Sequence, residues 1–297
     1  MRKMFAVFAV LALMFAACGD EAPPTEPSGD ASGGFDAPVP SDADAYPVIA
    51  SSEHVVGENR FLVGVLNDED APIGSPAIEV AADFFFIEES SSEPVTSVDF
   101  DFIRTIPGQR GLYVGYVTFD RPGKWGAEVS IIGDGIDEAI RTNSFEVVEE
   151  GTTPALGERV PASKTPTASA AKDLRAITTD PHPDRDFYRV SIAQALRARE
   201  PFVVTFATPK FCTSAVCGPT LDIVKDVARG FRDITFIHVE VYTNLDDPSN
   251  LEVVPSVEEW GLPTEPWVFV VDARGRVAAK YEGTVARSEL RAALRKL

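Results

Sequence analysis

Two stretches of this chain cannot build a hydrophobic core, and they divide everything else. Residues 19–45, GDEAPPTEPSGDASGGFDAPVPSDADA, are rich in Pro, Gly, Ala, Ser and acids and nearly free of large apolar side chains. Such a segment buries too little surface to offset the entropy of ordering it. Thr152 to Lys172 is again mostly Pro, Ala, Ser and Thr without an apolar period, and Asp180-Pro181-His182-Pro183-Asp184 adds two prolines that bar regular structure. The expected organisation is a leader over 1–17, a disordered acidic tether over 18–45, a first domain over 46–150, a linker over 151–185 and a second domain over 186–297. A chain of 297 residues can fill two cores of that size.

A net charge of −19 excludes nucleic acid as a first expectation, because phosphate recognition needs clustered Lys and Arg. The charge is uneven: residues 1–179 hold 29 of the 46 acids and 12 of the 27 bases, leaving 17 and 15 for the remainder, so the two halves are different surfaces.

The chain opens with Arg2 and Lys3 and runs apolar from Met4 to Ala17 before turning polar after Cys18. Fourteen residues rise only about 21 Å as a helix, short of the roughly 30 Å hydrocarbon core, so the stretch reads as an export signal. Ala16-Ala17-Cys18-Gly19 resembles the lipobox of bacterial lipoproteins, with Phe15 where Leu is usual. The resemblance implies cleavage after Ala17, lipidation of Cys18 and an extracytoplasmic protein anchored to the membrane of the cell envelope, where disulfides persist.

Between 46 and 150, short apolar and β-branched runs recur: Phe61 to Leu66, Ala77 to Ile87, Val98 to Ile103, Leu112 to Phe119, Trp125 to Ile132 and Asn143 to Val148. Turn formers separate them, and in Arg121-Pro122-Gly123-Lys124 Pro122 fixes φ while Gly123 accepts φ > 0, as a type II turn requires. The pattern predicts an antiparallel β-sandwich with Trp125 between its sheets. Gly111-Leu112-Tyr113-Val114-Gly115-Tyr116 followed by Pro122-Gly123-Lys124-Trp125 resembles immunoglobulin-like domains of the YtkA type in bacterial envelope proteins. With His54 its one histidine, this domain is expected to be a scaffold or protein-contact module.

In the second domain, Ser191 caps a short helix over Ile192 to Arg199, and Pro201 to Phe206 reads as a buried strand. A loop carrying Cys212 and Cys217 follows, then a helix over Thr220 to Phe231 with Gly218 at its cap and Pro219 at its first position. Ile234 to Tyr242 reads as a central strand covered on both faces, with His238 in its middle as a core histidine. A helical turn near Ser256 to Trp260 leads to strands over Pro266 to Asp272 and Val277 to Gly283, joined through Ala273-Arg274-Gly275 as a hairpin, and Ser288 to Lys296 closes as an amphipathic helix.

The order β-α-β then β-β-α, with cysteines at the first strand-to-helix junction, resembles the thioredoxin fold. Val203-Val204-Thr205-Phe206, Cys217-Gly218-Pro219 and Pro266 stand at its signature points, and the resemblance implies a cis-proline at Pro266 and substrate contact through Glu265 and Pro266. Four residues, not two, separate the thiols; Thr220 stands at the second family cysteine and Thr205 where many members bury an acid. Five helical steps advance about 7.5 Å, beyond the roughly 7 Å Cα limit of a disulfide, so a bridged loop must turn back. Cys217 before a helix N-terminus, helped by Lys210, is the expected nucleophile and Cys212 the resolving thiol, an order that greater exposure of Cys212 would reverse.

The expected activity is thiol-disulfide exchange with an exported protein partner. The alternatives are a binding or assembly module with a structural disulfide, which the acid of Glu265 favours, and copper delivery, since cysteines before a proline also resemble Sco proteins, whose thiolates and imidazole bind copper. Pro209, Thr213 and Cys217 form a pattern one residue longer than that of peroxiredoxins. No nucleotide, flavin or haem motif is present, and no cofactor or resident metal is expected.

Overall fold

The computed structural model describes Phe35 and residues 44–297 except 107–109 and 172. The expected leader, the expected lipidation site Cys18 and the expected tether, apart from Phe35, Asp44 and Ala45, lie outside the described residues. Among the described residues no helix is long and apolar enough to cross a membrane.

The first seven strands are β1 Tyr46–Ile49, β2 Gly57–Leu66, β3 Ile78–Phe86, β4 Thr96–Ile106, β5 Arg110–Phe119, β6 Gly123–Gly133 and β7 Ile136–Val147. They are antiparallel neighbours in the order β1-β2-β5-β4-β3-β6-β7. Strand β4 turns the corner: its first half pairs with β3, from Thr96 opposite Phe84 to Phe100 opposite Val80, and its second half pairs with β5, from Asp101 opposite Val114 onward. Two sheets, β1-β2-β5-β4 and β3-β6-β7, therefore face each other with the strand order of an immunoglobulin constant-type sandwich. The far edges also meet, since the Val56 N–H donates to the Val148 carbonyl and the Val148 N–H to that of His54, each at 3.0 Å.

Aromatic rings fill the space between the sheets. Phe61, Phe84, Phe119 and Trp125 are fully buried and meet edge-on or tilted, with Phe145 packed against them. The Trp125 indole N–H is satisfied by the Arg121 carbonyl at 3.1 Å, so this residue sits in the core as expected. His54 is walled by Phe61, Phe119 and Phe145 and pairs with Ser51 Oγ at 3.0 Å; burial pushes its pKa down to about 4.

Strand β7 begins at Ile136, seven residues before the expected Asn143, because Asp134 (φ 53°) and Gly135 (φ 83°) make the left-handed pair of a tight hairpin turn. That Asp-Gly pair was the available signal, and the charged run Asp137-Glu138 behind it masked the alternation.

The C-terminal part holds α1 Ile192–Ala198, β8 Phe202–Phe206, α2 Cys217–Ala228, β9 Thr235–Val239, β10 Tyr242–Thr243, β11 Glu252–Val253, α3 Pro255–Glu259, β12 Trp267–Val271, β13 Val277–Glu282 and α4 Arg287–Leu294. Its main sheet has the order β13-β12-β8-β9, with β8 and β9 parallel and the other pairs antiparallel. Every residue of β8 and β12 is buried, as their unbroken apolar runs require. Leu221, Val224 and Val227 of α2 and Leu290 and Leu294 of α4 cover one face; Ile192 of α1 and Trp260, just after α3, pack on the other.

Two expectations are corrected here. Strand β9 lies at the sheet edge, not in its centre; one of its faces is covered where Phe187 and Tyr188, from the preceding segment, pack on Phe236 and His238, and the other where Ile237 and Val239 join the core of Trp260 and Phe269. Helix α2 begins at Cys217 with Val216 as its cap, so Gly218 and Pro219 lie inside its first turn.

Residues 151–185 connect the two parts, but as a fixed strap. Its backbone pairs with the outer edge of β13 and the turn before it, Gly157 N–H to the Val277 carbonyl at 2.8 Å and Val160 N–H to that of Gly275 at 3.0 Å. Val160, Ser163, Thr165, Thr167 and Thr178 are buried along it. A Pro, Ser and Thr composition conceals this, because the contacts are made by backbone and short hydroxyls instead of an apolar stripe.

The sandwich docks on the C-terminal part through two nearly buried ion pairs. Arg60 Nε meets Glu289 Oε1 at 2.7 Å and its Nη2 meets Oε2 at 3.0 Å, while Lys280 Nζ meets Glu53 Oε2 at 2.7 Å. Burial alone would raise the Glu289 carboxyl; the Arg60 fork and the Tyr116 hydroxyl, at 2.6 Å, hold it below the usual range. Leu62, Ile103 and Val114 pack beside Ala286 in the same seam. Removing one partner of such a pair strands the other charge. Glu289→Ala is therefore expected to cost about 3 kcal/mol in urea unfolding, and Arg60→Leu/Glu289→Leu clearly less; equal losses would contradict this account.

Candidate functional site

Beyond β8 the chain leaves the sheet through residues 207–216 and returns to it as α2. The Cys212 N–H donates to the Thr208 carbonyl at 3.1 Å, the Ala215 N–H to that of Cys212 at 3.2 Å, and Ala215 takes a left-handed φ of 59°. The loop thus turns back as required, bringing Cys212 and Cys217 to a Cα separation of 6.1 Å, where they are joined by a disulfide.

The two sulfurs have different environments. Cys217 is fully buried as the first residue of α2, facing the positive end of a 12-residue helix. Cys212 is partly exposed, with its sulfur 3.2 Å from Ser214 Oγ, and Thr213, Ser214 and Ala215 are exposed beside it. Access from solvent therefore runs to Cys212, the sulfur expected to resolve, and not to Cys217, the expected nucleophile. Lys210, expected to assist the thiolate, extends into solvent with Nζ 5.0 Å from the centre of its neighbour's ring, Phe211.

The loop before β12 closes the site. The Glu265–Pro266 peptide is cis. A Glu265 carboxylate oxygen and both sulfurs all lie within 4.8 Å of one another, so residues far apart in sequence meet here. Burial, followed by the nearby charge of Glu240, pushes the Glu265 pKa up to about 7.

Sequence reasoning missed Glu240. It follows β9 directly and is 4% exposed; burial raises its carboxyl, while the Thr179 N–H and hydroxyl donate to Oε2 at 2.6 and 2.8 Å. The Thr179 hydroxyl also accepts the Lys210 N–H at 3.1 Å, tying the strap to the cysteine loop. An acid inside the run Ile237-His238-Val239-Glu240-Val241 was the available signal. Thr205, where the resemblance pointed to an acid, is fully buried with its hydroxyl unpaired.

His238 does not reach this site as a free ligand. Its Nε2 lies 3.0 Å from the Ala207 carbonyl, which can only accept, so Nε2 carries the proton and Nδ1 faces the Tyr188 hydroxyl at 2.7 Å. Burial pushes its pKa down to about 4, and the imidazole that copper binding needs is engaged on both nitrogens. Since the folded state binds this proton only near pH 4 and the unfolded chain already near 6.5, stability is full above pH 6.5 and falls towards pH 4. The slope is about 1.4 kcal/mol per pH unit for each such group, and His54 adds an equal share. Urea unfolding at pH 7, 6 and 5 should show His238→Gln with a lower stability overall and a slope shallower by about that amount; an unchanged slope would contradict a buried neutral His238.

No family model matches this chain, and no curated protein does. Among solved structures it is similar to a DUF4426 family protein from Pseudomonas aeruginosa PAO1, at 8% identity and TM-score 0.24 over 36% of this chain and 90% of that one. It is similar to murine CRIg at 14% identity and TM-score 0.21, over 35% and 99% of the two chains. Likeness to MtrC from Shewanella baltica OS185 has 12% identity and TM-score 0.26 over 78% and 51%. Similarities of this size carry no argument about shared activity.

Proposed function

We propose that this chain is a lipid-anchored, extracytoplasmic protein whose thioredoxin-like C-terminal part exchanges disulfides with an exported protein partner through Cys212 and Cys217. The observation that carries the reading is a disulfide at a strand-to-helix junction with one sulfur facing solvent and the other buried at a helix N-terminus, against the loop of Glu265 and Pro266. The sheet order and the helices on both its faces support it. An incoming thiolate attacks Cys212, forming a mixed disulfide, and Cys217 leaves as a thiolate that the helix terminus stabilises. The anchor rests on Ala16-Ala17-Cys18 closing an apolar stretch too short to span a bilayer.

A scaffold with a structural disulfide is the second reading, favoured by the buried ion pairs that fix the sandwich to the C-terminal part. Redox titration of the folded protein separates the two. An exchanging disulfide equilibrates with glutathione or dithiothreitol at a potential above about −300 mV, whereas a structural one resists reduction below it. Cys217→Ser is expected to trap a partner thiol through Cys212, and Cys212→Ser to abolish insulin reduction. A bond that opens only on unfolding would leave the scaffold.

A further inference from the structure

We propose that Glu265 is the proton donor and acceptor for Cys217 during exchange; this rests on the exchange reading above. Three features of the geometry point there. A Glu265 oxygen lies within 4.8 Å of both sulfurs. The side chain is partly buried beside Pro266. Cys217 is fully buried, so a thiolate formed on it has little access to water for a proton.

The groups facing Glu265 come from different elements: the disulfide of the loop and α2, the buried carboxyl of Glu240 after β9, and the Tyr242 phenol at the start of β10. Burial and the neighbouring acid both favour its neutral form near pH 7. A carboxyl that is half protonated there can work in either direction.

The step balances without a further reagent. The thiolate of a reduced protein partner attacks Cys212 Sγ; the new sulfur–sulfur bond forms as the Cys212–Cys217 bond breaks, and its electron pair passes to Cys217 Sγ. The Glu265 carboxylic acid transfers its proton to that sulfur, leaving a Cys217 thiol and a Glu265 carboxylate. In reverse, the carboxylate removes the Cys217 proton, and the resulting thiolate displaces the partner from Cys212. A carboxylate fixed in place would oppose a thiolate; a carboxyl that surrenders its proton as the thiolate forms relieves it.

The test is the rate of disulfide opening in the full chain by dithiothreitol between pH 5.5 and 8.5, expressed per dithiothreitol thiolate so that the reagent's own ionisation is removed. The wild-type rate constant should fall as pH rises through about 7. Glu265→Gln should flatten that dependence and, at pH 6, react at least about tenfold more slowly. Glu240→Gln should keep the dependence but move its midpoint to lower pH, because it removes the neighbouring acid, and this second variant tests the idea even if the first folds poorly. A wild-type rate that is flat per thiolate, or a dependence that survives Glu265→Gln, overturns the inference and leaves exchange standing. A folded wild type that does not react at all removes the exchange reading itself.

Discussion

Glu289 holds the two parts of this protein together by serving both at once. One carboxylate takes the fork of Arg60 from β2 and the hydroxyl of Tyr116 from β5, and also accepts the Ala286 N–H at 2.8 Å at the start of α4. The helix that covers one face of the C-terminal sheet is thus started by a side chain bound to the sandwich. A charge pair this buried is retained only when its remaining donors and acceptors are met, and here they are. The second pair follows the same logic: Glu53 takes Lys280 from β13 together with the Thr152 and Thr153 N–H groups of the strap.

That arrangement reaches the cysteine loop. Ser52 donates its N–H to Glu282 Oε2 at 2.9 Å, and the Thr264 hydroxyl donates to Oε1 at 2.8 Å, so the sandwich touches the loop that carries Glu265 and Pro266. On the other side, Thr179 of the strap bridges Glu240 and Lys210. The site is assembled from four separate stretches of chain, of which the cysteine pair and the Glu265–Pro266 loop are marked in sequence.

What was legible followed from period and punctuation. The short apolar runs between 61 and 148 became strands because each is too short for a helix and ends in turn formers, and the double-sided burial of Phe202–Phe206 was visible in its unbroken apolar character. Legibility failed where tertiary partners decide. Ile234 to Tyr242 reads as a central strand because both its faces are apolar, yet it lies at the sheet edge, with one face covered by Phe187 and Tyr188. Which cysteine faces water depends on the left-handed residue Ala215, a conformation that composition does not specify. Glu240 was passed over because its partner Thr179 lies 61 positions away.

The strap has a consequence for where this chain can be divided. Its hydrogen bonds run to Glu53 of the sandwich at one end, to Val277 of β13 beyond that, and to Glu240 near the other end. Severing the chain anywhere within it would leave each fragment holding the other's missing piece, so a cut backbone would still behave as one particle. A fragment starting at Asp186 would instead lack the cover over Trp260, whose indole N–H donates to Ser163 Oγ at 3.0 Å, and over His238, near Thr178. The boundary visible in composition is thus a seam shared by both parts, and each part is complete only with residues that the sequence places outside it.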